Sequence, residues 1–366
     1  METRKPRLMS FARRLLPVLV VVLTAFVVVG CGDDDDDSGN GGGGGSDTGA
    51  QASENTVDKF AIVTPEKGSD YGWNQQSIAA AEKIAADRGI EVNVADNSGY
   101  EDVTPILREL ATGGEQFIIA QASGYNTAAP DVSLQTDVPS LIWDNPEAAD
   151  PGLVANAEAQ GQGGGYLAGV LAAETSKSGT LGIVISADDT NWNRMAGGFV
   201  KGAQSVNPDI KIRLAQIGQA GYADTAGGKR VTEQVIADGA DVIFGMGDGS
   251  SFGMIQAVEA ADGVMFIDVI GDKTKIDKQG ILLSSVLWNF DVLFNQALDD
   301  VAAGTFGETN YALDLENKGI SLLQTDQIDD AAWQSVEKAR EAIVNGDVQV
   351  PETTKKSQVE DLISGG

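Results

Sequence analysis

Residues 60–94 read FAIVTPEKGSDYGWNQQSIAAAEKIAADRGIEVNV, and this stretch decides the fold. Phe60-Ala61-Ile62-Val63 is a short continuous apolar run, the pattern of a strand buried on both faces. The segment over 74–88 places Ile78, Ala81, Glu82 and Ala85 at helical spacing. It stops at Gly89, the residue type that most easily adopts the left-handed turn closing a helix. Ile90 to Val94 then reads as the next strand. Strand, helix and strand in such quick succession argue a parallel sheet covered by helices.

Outward from this unit the alternation continues. Val103, Leu107, Leu110 and Ala111 mark one helical face, ended by Gly113-Gly114, and Phe117 to Ala120 and Leu141 to Trp143 supply two more strands. A second run of the same kind follows Pro151-Gly152. Its strands are Leu181 to Ile185, Ile210 to Leu214, Val242 to Phe244 and Val264 to Ile267, with helices at roughly 191–206, 224–238 and 250–260. Ile281 to Val286, a helix at about 288–303 and a last helix at about 328–345 complete the pattern. Two doubly wound sheets of similar size define a bilobed α/β protein, and ligands in such sheets sit beyond the carboxyl ends of the strands.

The composition removes several function classes. Lys and Arg number 25 against 54 Asp and Glu, a net charge of −29 that repels phosphate backbones and makes a nucleic-acid partner improbable. The chain has no histidine, so no Ser-His-Asp or Cys-His arrangement and no His-based zinc site. The single cysteine, Cys31, rules out an intrachain disulfide and a thiolate cluster. No cofactor or metal is expected, and the inventory disfavours an enzyme.

The first 30 residues read as an export signal. Arg4, Lys5, Arg7, Arg13 and Arg14 precede an apolar run from Leu15 to Val29, too short to span a bilayer comfortably. Val28-Val29-Gly30-Cys31 is similar to the lipobox of bacterial lipoproteins, which makes Cys31 the expected lipidation site and the membrane anchor on the extracytoplasmic face. Residues 32–55 are rich in Gly, Asp, Ser and Asn, including Asp33 to Asp37 and Gly41 to Gly45. They hold too little apolar surface to offset the entropy of ordering and read, with Cys31, as a flexible acidic tether over 31–57.

Gly68-Ser69-Asp70-Tyr71-Gly72-Trp73-Asn74-Gln75 resembles the first binding loop of the basic membrane protein family, substrate-binding lipoproteins of ABC importers, several of which bind purine nucleosides. Gly165 to Ala173 resembles that family's crossover helix, and Gly197 to Ala203 with Val206-Asn207-Pro208 resembles its second-lobe helix. Gly239-Ala240-Asp241-Val242-Ile243 and Phe266-Ile267-Asp268 continue the series in order. The resemblance covers about 58–325 and implies a type I periplasmic-binding-protein fold, two lobes joined by a three-segment hinge, working as a monomer with a membrane permease. It places lobe 1 at 58–154 plus 283–316 and lobe 2 at 155–282 plus 317–366. Two departures stand out: Ser69-Asp70 and Trp73 replace paired acids and a Phe, and Trp288 stands where several members carry a lysine.

The expected ligand-binding residues follow from the strand ends. Asp70 and Asn74 open the first helix, and Asp144 and Asp268 end strands, where carboxylates can accept from ligand hydroxyls or ring nitrogens. Trp73 and Trp192 offer flat faces from opposite lobes, each stacked ring worth ~1–3 kcal/mol. Gly247 and Asp248 lie in Gly245-Met246-Gly247-Asp248-Gly249-Ser250. That loop follows a strand, yet it has no Gly-Lys-Ser/Thr and carries an acid where a phosphate would approach. Tyr125 and Trp288 are further lining candidates. The resulting expectation is capture of a small polar ligand, nucleoside or purine-like, between the lobes. A sugar or signalling-molecule receptor on the same fold and a carboxylate-based hydrolase are the alternatives.

Overall fold

The computed structural model describes residues 56–365; the expected signal segment, Cys31 and the expected tether through residue 55 lie outside the described residues. The first sheet is built from β1 (Lys59–Val63), β2 (Glu91–Ala95), β3 (Ile118–Ala120), β4 (Ser140–Trp143) and β5 (Val154–Ala159). The second contains β6 (Thr180–Ile185), β7 (Lys211–Gln216), β8 (Val242–Met246), β9 (Met265–Ile270) and β10 (Leu282–Trp288). A short strand is added to each, β11 (Tyr311–Leu313) to the first and β12 (Ile320–Leu322) to the second. The orders are β11-β5-β4-β3-β1-β2 and β12-β10-β9-β8-β6-β7, the same pattern twice. Every pairing is parallel except β10 with β12. The all-apolar runs are explained by this: β1, β4, β6 and β8 are buried along almost their whole length because helices cover both faces.

Helices α1 (Trp73–Arg88), α2 (Thr104–Thr112) and α3 (Ala128–Thr136) pack on the first sheet. Helices α4 (Gln162–Thr175), α5 (Thr190–Val206), α6 (Thr225–Ala237) and α7 (Ser251–Glu259) belong to the second lobe. After β10 the chain returns to the first lobe as α8 (Phe290–Ala303), whose Asn295 and Asp299 meet Arg88 of α1. It ends in the second lobe as α9 (Asp330–Val344) and α10 (Lys356–Ser364). No helix among the described residues is long and apolar enough to cross a membrane.

The chain crosses between lobes at 160–161, at Asn289 and over 314–319. The segments lie side by side, with Asn289 N donating to Gly319 O at 2.8 Å and Gln160 N to Leu313 O at 2.8 Å. Two expected boundaries are corrected. β5 pairs with β4 and β11, so the whole of 154–159 stays in lobe 1; β10 pairs with β9 and β12, so 282–288 belongs to lobe 2 rather than lobe 1. An apolar run announces a strand, but its partner decides the lobe.

The glycines of α4 and α5 have a packing reason. A Cβ on Gly165 or Gly169 would overlap the carbonyl oxygens of Met195 or Phe199, and one on Gly198 or Gly202 would overlap those of Gln162 or Tyr166. Glycines four apart on each helix thus form facing stripes, and the two backbones touch. This contact fixes α5, and with it the loop that opens α5 at the cleft.

Candidate functional site

A cavity of about 220 Å3 lies between the lobes, beyond the carboxyl ends of both sheets. From the first lobe it is lined by Pro65 after β1, Trp73 and Asn74 opening α1, Tyr100 after β2, and Ala122, Ser123 and Gly124 after β3. The second lobe contributes Asp189, Asn191 and Trp192 after β6, Tyr222 after β7 and Asp248 after β8; Trp288 ends β10 at the hinge. Among the described residues that line it there is no lysine or arginine.

The lobes meet directly around this cavity. Trp73 N donates to Asp248 Oδ1 at 3.2 Å, and a Cβ on Gly72 would collide with the same carboxylate. The Tyr71 and Phe252 rings meet edge to face at 6.0 Å, while Tyr100 and Tyr222 lie nearly parallel at 6.5 Å. Arg194 of α5 reaches Asp144 and Glu158 of the first lobe at 3.9 Å each and Glu352 of the C-terminal tail at 2.5 Å. This is a closed arrangement of the two lobes.

Of the residues expected to bind ligand, Trp73, Asn74, Trp192, Asp248 and Trp288 line the cavity. The Trp73 ring packs edge-on against Trp143, Trp288 and Phe290 at 4.8, 5.8 and 5.4 Å, and its Nε1 donates to Gln121 O at 2.8 Å. Trp192 Nε1 donates to Ser186 Oγ at 2.9 Å. Asn74 is buried, accepting from Glu66 N and donating to Asp70 Oδ2. Asp248 sits in the left-handed region at φ 48°. Burial pushes its carboxyl well above the usual range, the nearby Asp70 adds to this, and the Trp73 N–H opposes it.

Five expected residues are not in the lining. Asp70 is the start cap of its own loop: it accepts from the backbone N–H of Gly72, Asn74 and Gln75 and from Asn74 Nδ2, all within 3.0 Å. Asp268 is fully buried and paired with the equally buried Lys273 at 3.1 Å, while its other oxygen accepts from Ser251 Oγ and Val269 N. Tyr125 lies in the first-lobe core with its hydroxyl donating to Gly99 O at 2.6 Å. Gly247 precedes the lining Asp248 and bonds through its carbonyl to Ser250 Oγ. Asp144 stands behind the wall, accepting from Ser123 Oγ at 2.6 Å and from Asn191 Nδ2 at 3.4 Å. Burial raises its pKa, while Ser123 and Arg194 oppose the shift.

Sequence reasoning missed Tyr100, Ser123, Asp189, Asn191 and Tyr222. Asp189 caps α5 through Asn191 N and Trp192 N and accepts from Tyr222 Oη at 3.1 Å. Burial, and for Tyr222 then Asp189, holds both lining tyrosine hydroxyls protonated. The signal available was positional: 186–191, 217–224 and 96–100 are all loops leaving carboxyl strand ends.

Two doubly wound lobes, three adjacent crossings and an enclosed aromatic cavity between strand ends define a two-lobed solute-binding protein of the type I periplasmic fold. The sequence model of the Bmp family, described as ABC transporter substrate-binding protein PnrA-like, matches residues 57–354, and the chain belongs to this family. It is thus a substrate-binding protein of an ABC transporter. The chain is 25% identical over 332 residues to the ABC transporter nucleoside-binding protein BmpA of Lactococcus lactis, covering 83% of this chain and 92% of that one. It is 23% identical over 280 residues to the transcriptional activator protein med of Bacillus subtilis, covering 75% and 84%. Among solved structures, an ABC transporter solute-binding protein from Conexibacter woesei aligns with a TM-score of 0.69 at 21% identity, over 80% of this chain and 98% of that one. One from Aeropyrum pernix aligns at 0.71 and 19%, over 84% and 98%. At these identities the structural likeness shows the fold alone.

Proposed function

We propose that the protein captures an uncharged, flat, nucleoside- or purine-like molecule in the interlobe cavity and delivers it to a membrane permease. We further propose that it acts as a monomer held to the extracytoplasmic face by a lipid on Cys31. The observation that carries the reading is the lining: three tryptophans and two tyrosines, with Asp189 and Asp248 and no cationic side chain among the described residues. Aromatic faces favour a planar ring. The two carboxyl groups accept from N–H or O–H donors and oppose phosphate, so nucleotides are disfavoured. Closure of the lobes over such a ligand is a population shift toward the form seen here.

A thermal-shift panel of nucleosides, bases, pentoses and nucleotides tests this. A ligand at about 100 times its Kd stabilises by ~2.7 kcal/mol, a rise of about 4 °C for a folded region of about 310 residues. A nucleoside or base is expected to give that rise and the matching nucleotide none. A flat response to all nucleosides and bases refutes the assignment.

A further inference from the structure

The polar groups on the cavity wall differ in how fully they are satisfied. Trp288 Nε1 and Asn191 Oδ1 are sealed from solvent, so a ligand does not reach them. Asp189 takes the N–H groups of Asn191 and Trp192 on one oxygen and the Tyr222 hydroxyl on the other. Asp248 is 9% exposed and lines the cavity, yet among the described residues its side chain takes a single hydrogen bond, from Trp73 N to Oδ1 at 3.2 Å. Its Oδ2 has no partner among the described residues and is not sealed, which leaves it facing the cavity.

Two other buried acids show what a carboxylate needs in such surroundings. Asp70 accepts from three backbone N–H groups and the Asn74 amide, and Asp268 has the Lys273 ammonium, Ser251 Oγ and Val269 N. Asp248 has one N–H. Asp70 and Glu66 face it from the first lobe, and Tyr100 and Tyr222 from the loops after β2 and β7. The cation in range, Lys273, is already committed to Asp268 and Val269 O. A charge so sparsely solvated is unfavourable, and uptake of a proton relieves it. Burial accordingly pushes the Asp248 carboxyl well above its usual range, and Asp70 adds to this.

We infer that Asp248 works as a neutral carboxylic acid: Oδ1 receives the Trp73 N–H across the lobes, and Oδ2–H donates to a ring nitrogen or carbonyl oxygen of the bound planar molecule. This rests on the proposed nucleoside- or purine-like class and deepens it, because the ligand edge against Asp248 must then accept. Of the two lining carboxyls, Asp189 keeps the accepting role and Asp248 takes the donating one. Gly72 and Trp73, which cover Asp248, belong to the other lobe. Parting the lobes therefore returns the carboxyl to water and to its ordinary range, so capture takes up a proton. Because the raised value belongs to the closed form, affinity is highest below the ordinary carboxyl range and falls as pH rises toward the raised value.

Calorimetric titration of the natural chain with adenosine, inosine, adenine and hypoxanthine, in paired buffers of different ionisation enthalpy, tests the inference. Across the mildly acid range the affinity for at least one probe is expected to fall about tenfold per pH unit, with about one proton taken up per molecule bound. Asp248→Asn offers Trp73 the same acceptor and presents an N–H where the acid presents its O–H. It is expected to bind that probe about tenfold or more tightly than the natural chain at neutral pH, with the pH dependence and the proton uptake gone. Asp248→Ala offers no donor and is expected to bind about tenfold more weakly than Asp248→Asn, the scale of one lost neutral hydrogen bond. Equal binding by these two variants overturns the donor role. An affinity that is flat or rises with pH, or Asp248→Asn binding more weakly than the natural chain at neutral pH, overturns the inference and leaves the proposed class standing. No binding of any probe by the natural chain or either variant overturns both.

Discussion

Lys273→Ala is expected to destabilise the protein by about 3–5 kcal/mol, because it leaves a charge buried alone. Lys273 and Asp268 are 1% and 0% exposed, and their charged atoms are 3.1 Å apart. Lys273 Nζ also donates to Val269 O at 3.0 Å, so the ammonium is the hub that lets the end of β9 carry an acid inside the core. Replacing both residues, as Asp268→Leu with Lys273→Met, is expected to recover most of the loss, since an apolar pair of similar size often does as well as a buried ion pair. Burial already raises the Asp268 pKa against the opposing pull of Lys273. Without Lys273 the deficit is thus full at neutral pH and shrinks as pH falls through that raised value, where the carboxyl takes up a proton. Urea unfolding of the natural chain, Lys273→Ala and the double variant, at two pH values, checks each part. Equal stability of Lys273→Ala and the double variant would contradict the account.

The second large effect is expected at the glycine stripes. Gly198 faces the Gln162 carbonyl and Gly169 faces that of Phe199, so an added Cβ meets backbone, not a side chain that can swing aside. Overpacking of a core costs about 1–3 kcal/mol where neighbours can shift; here the whole of α5 must move away from α4. Gly198→Ala is expected to lie at or above the top of that range, and Gly198→Leu to prevent accumulation of folded protein. Gly218 provides the control, because a Cβ there meets nothing within 4 Å and its φ is ordinary. Gly218→Ala is expected to change stability by less than about 0.5 kcal/mol. Thermal unfolding of the three variants beside the natural chain tests the pattern.

Much of the fold was legible because burial on both sheet faces leaves a strong mark. Phe60 to Val63, Leu181 to Ile185 and Val242 to Phe244 are strands at the expected places, and the helix expected over 74–88 runs Trp73–Arg88. α3 and α10 escaped notice. α3 exposes much of its length and starts with Ala128-Ala129-Pro130, and α10 buries only Val359. The site was half legible for a different reason. Position after a strand tells where a side chain begins but not where it points. Asp70 is claimed by the N–H groups of its own turn, and Asp268 by a lysine five residues on that no periodicity reveals. Tyr222 and Tyr100 become walls only because the two lobes bring their loops together.

Capture of a small uncharged molecule between the lobes is the property on which the proposed function depends. Native mass spectrometry of the freshly purified protein tests it most directly, beside Ser123→Trp, in which an exposed cavity-lining residue is replaced by a side chain large enough to fill the space. The natural chain should carry one noncovalent adduct with the mass of a base or nucleoside, and Ser123→Trp should carry none. An adduct bearing phosphate, or one that persists unchanged in Ser123→Trp, would contradict the account.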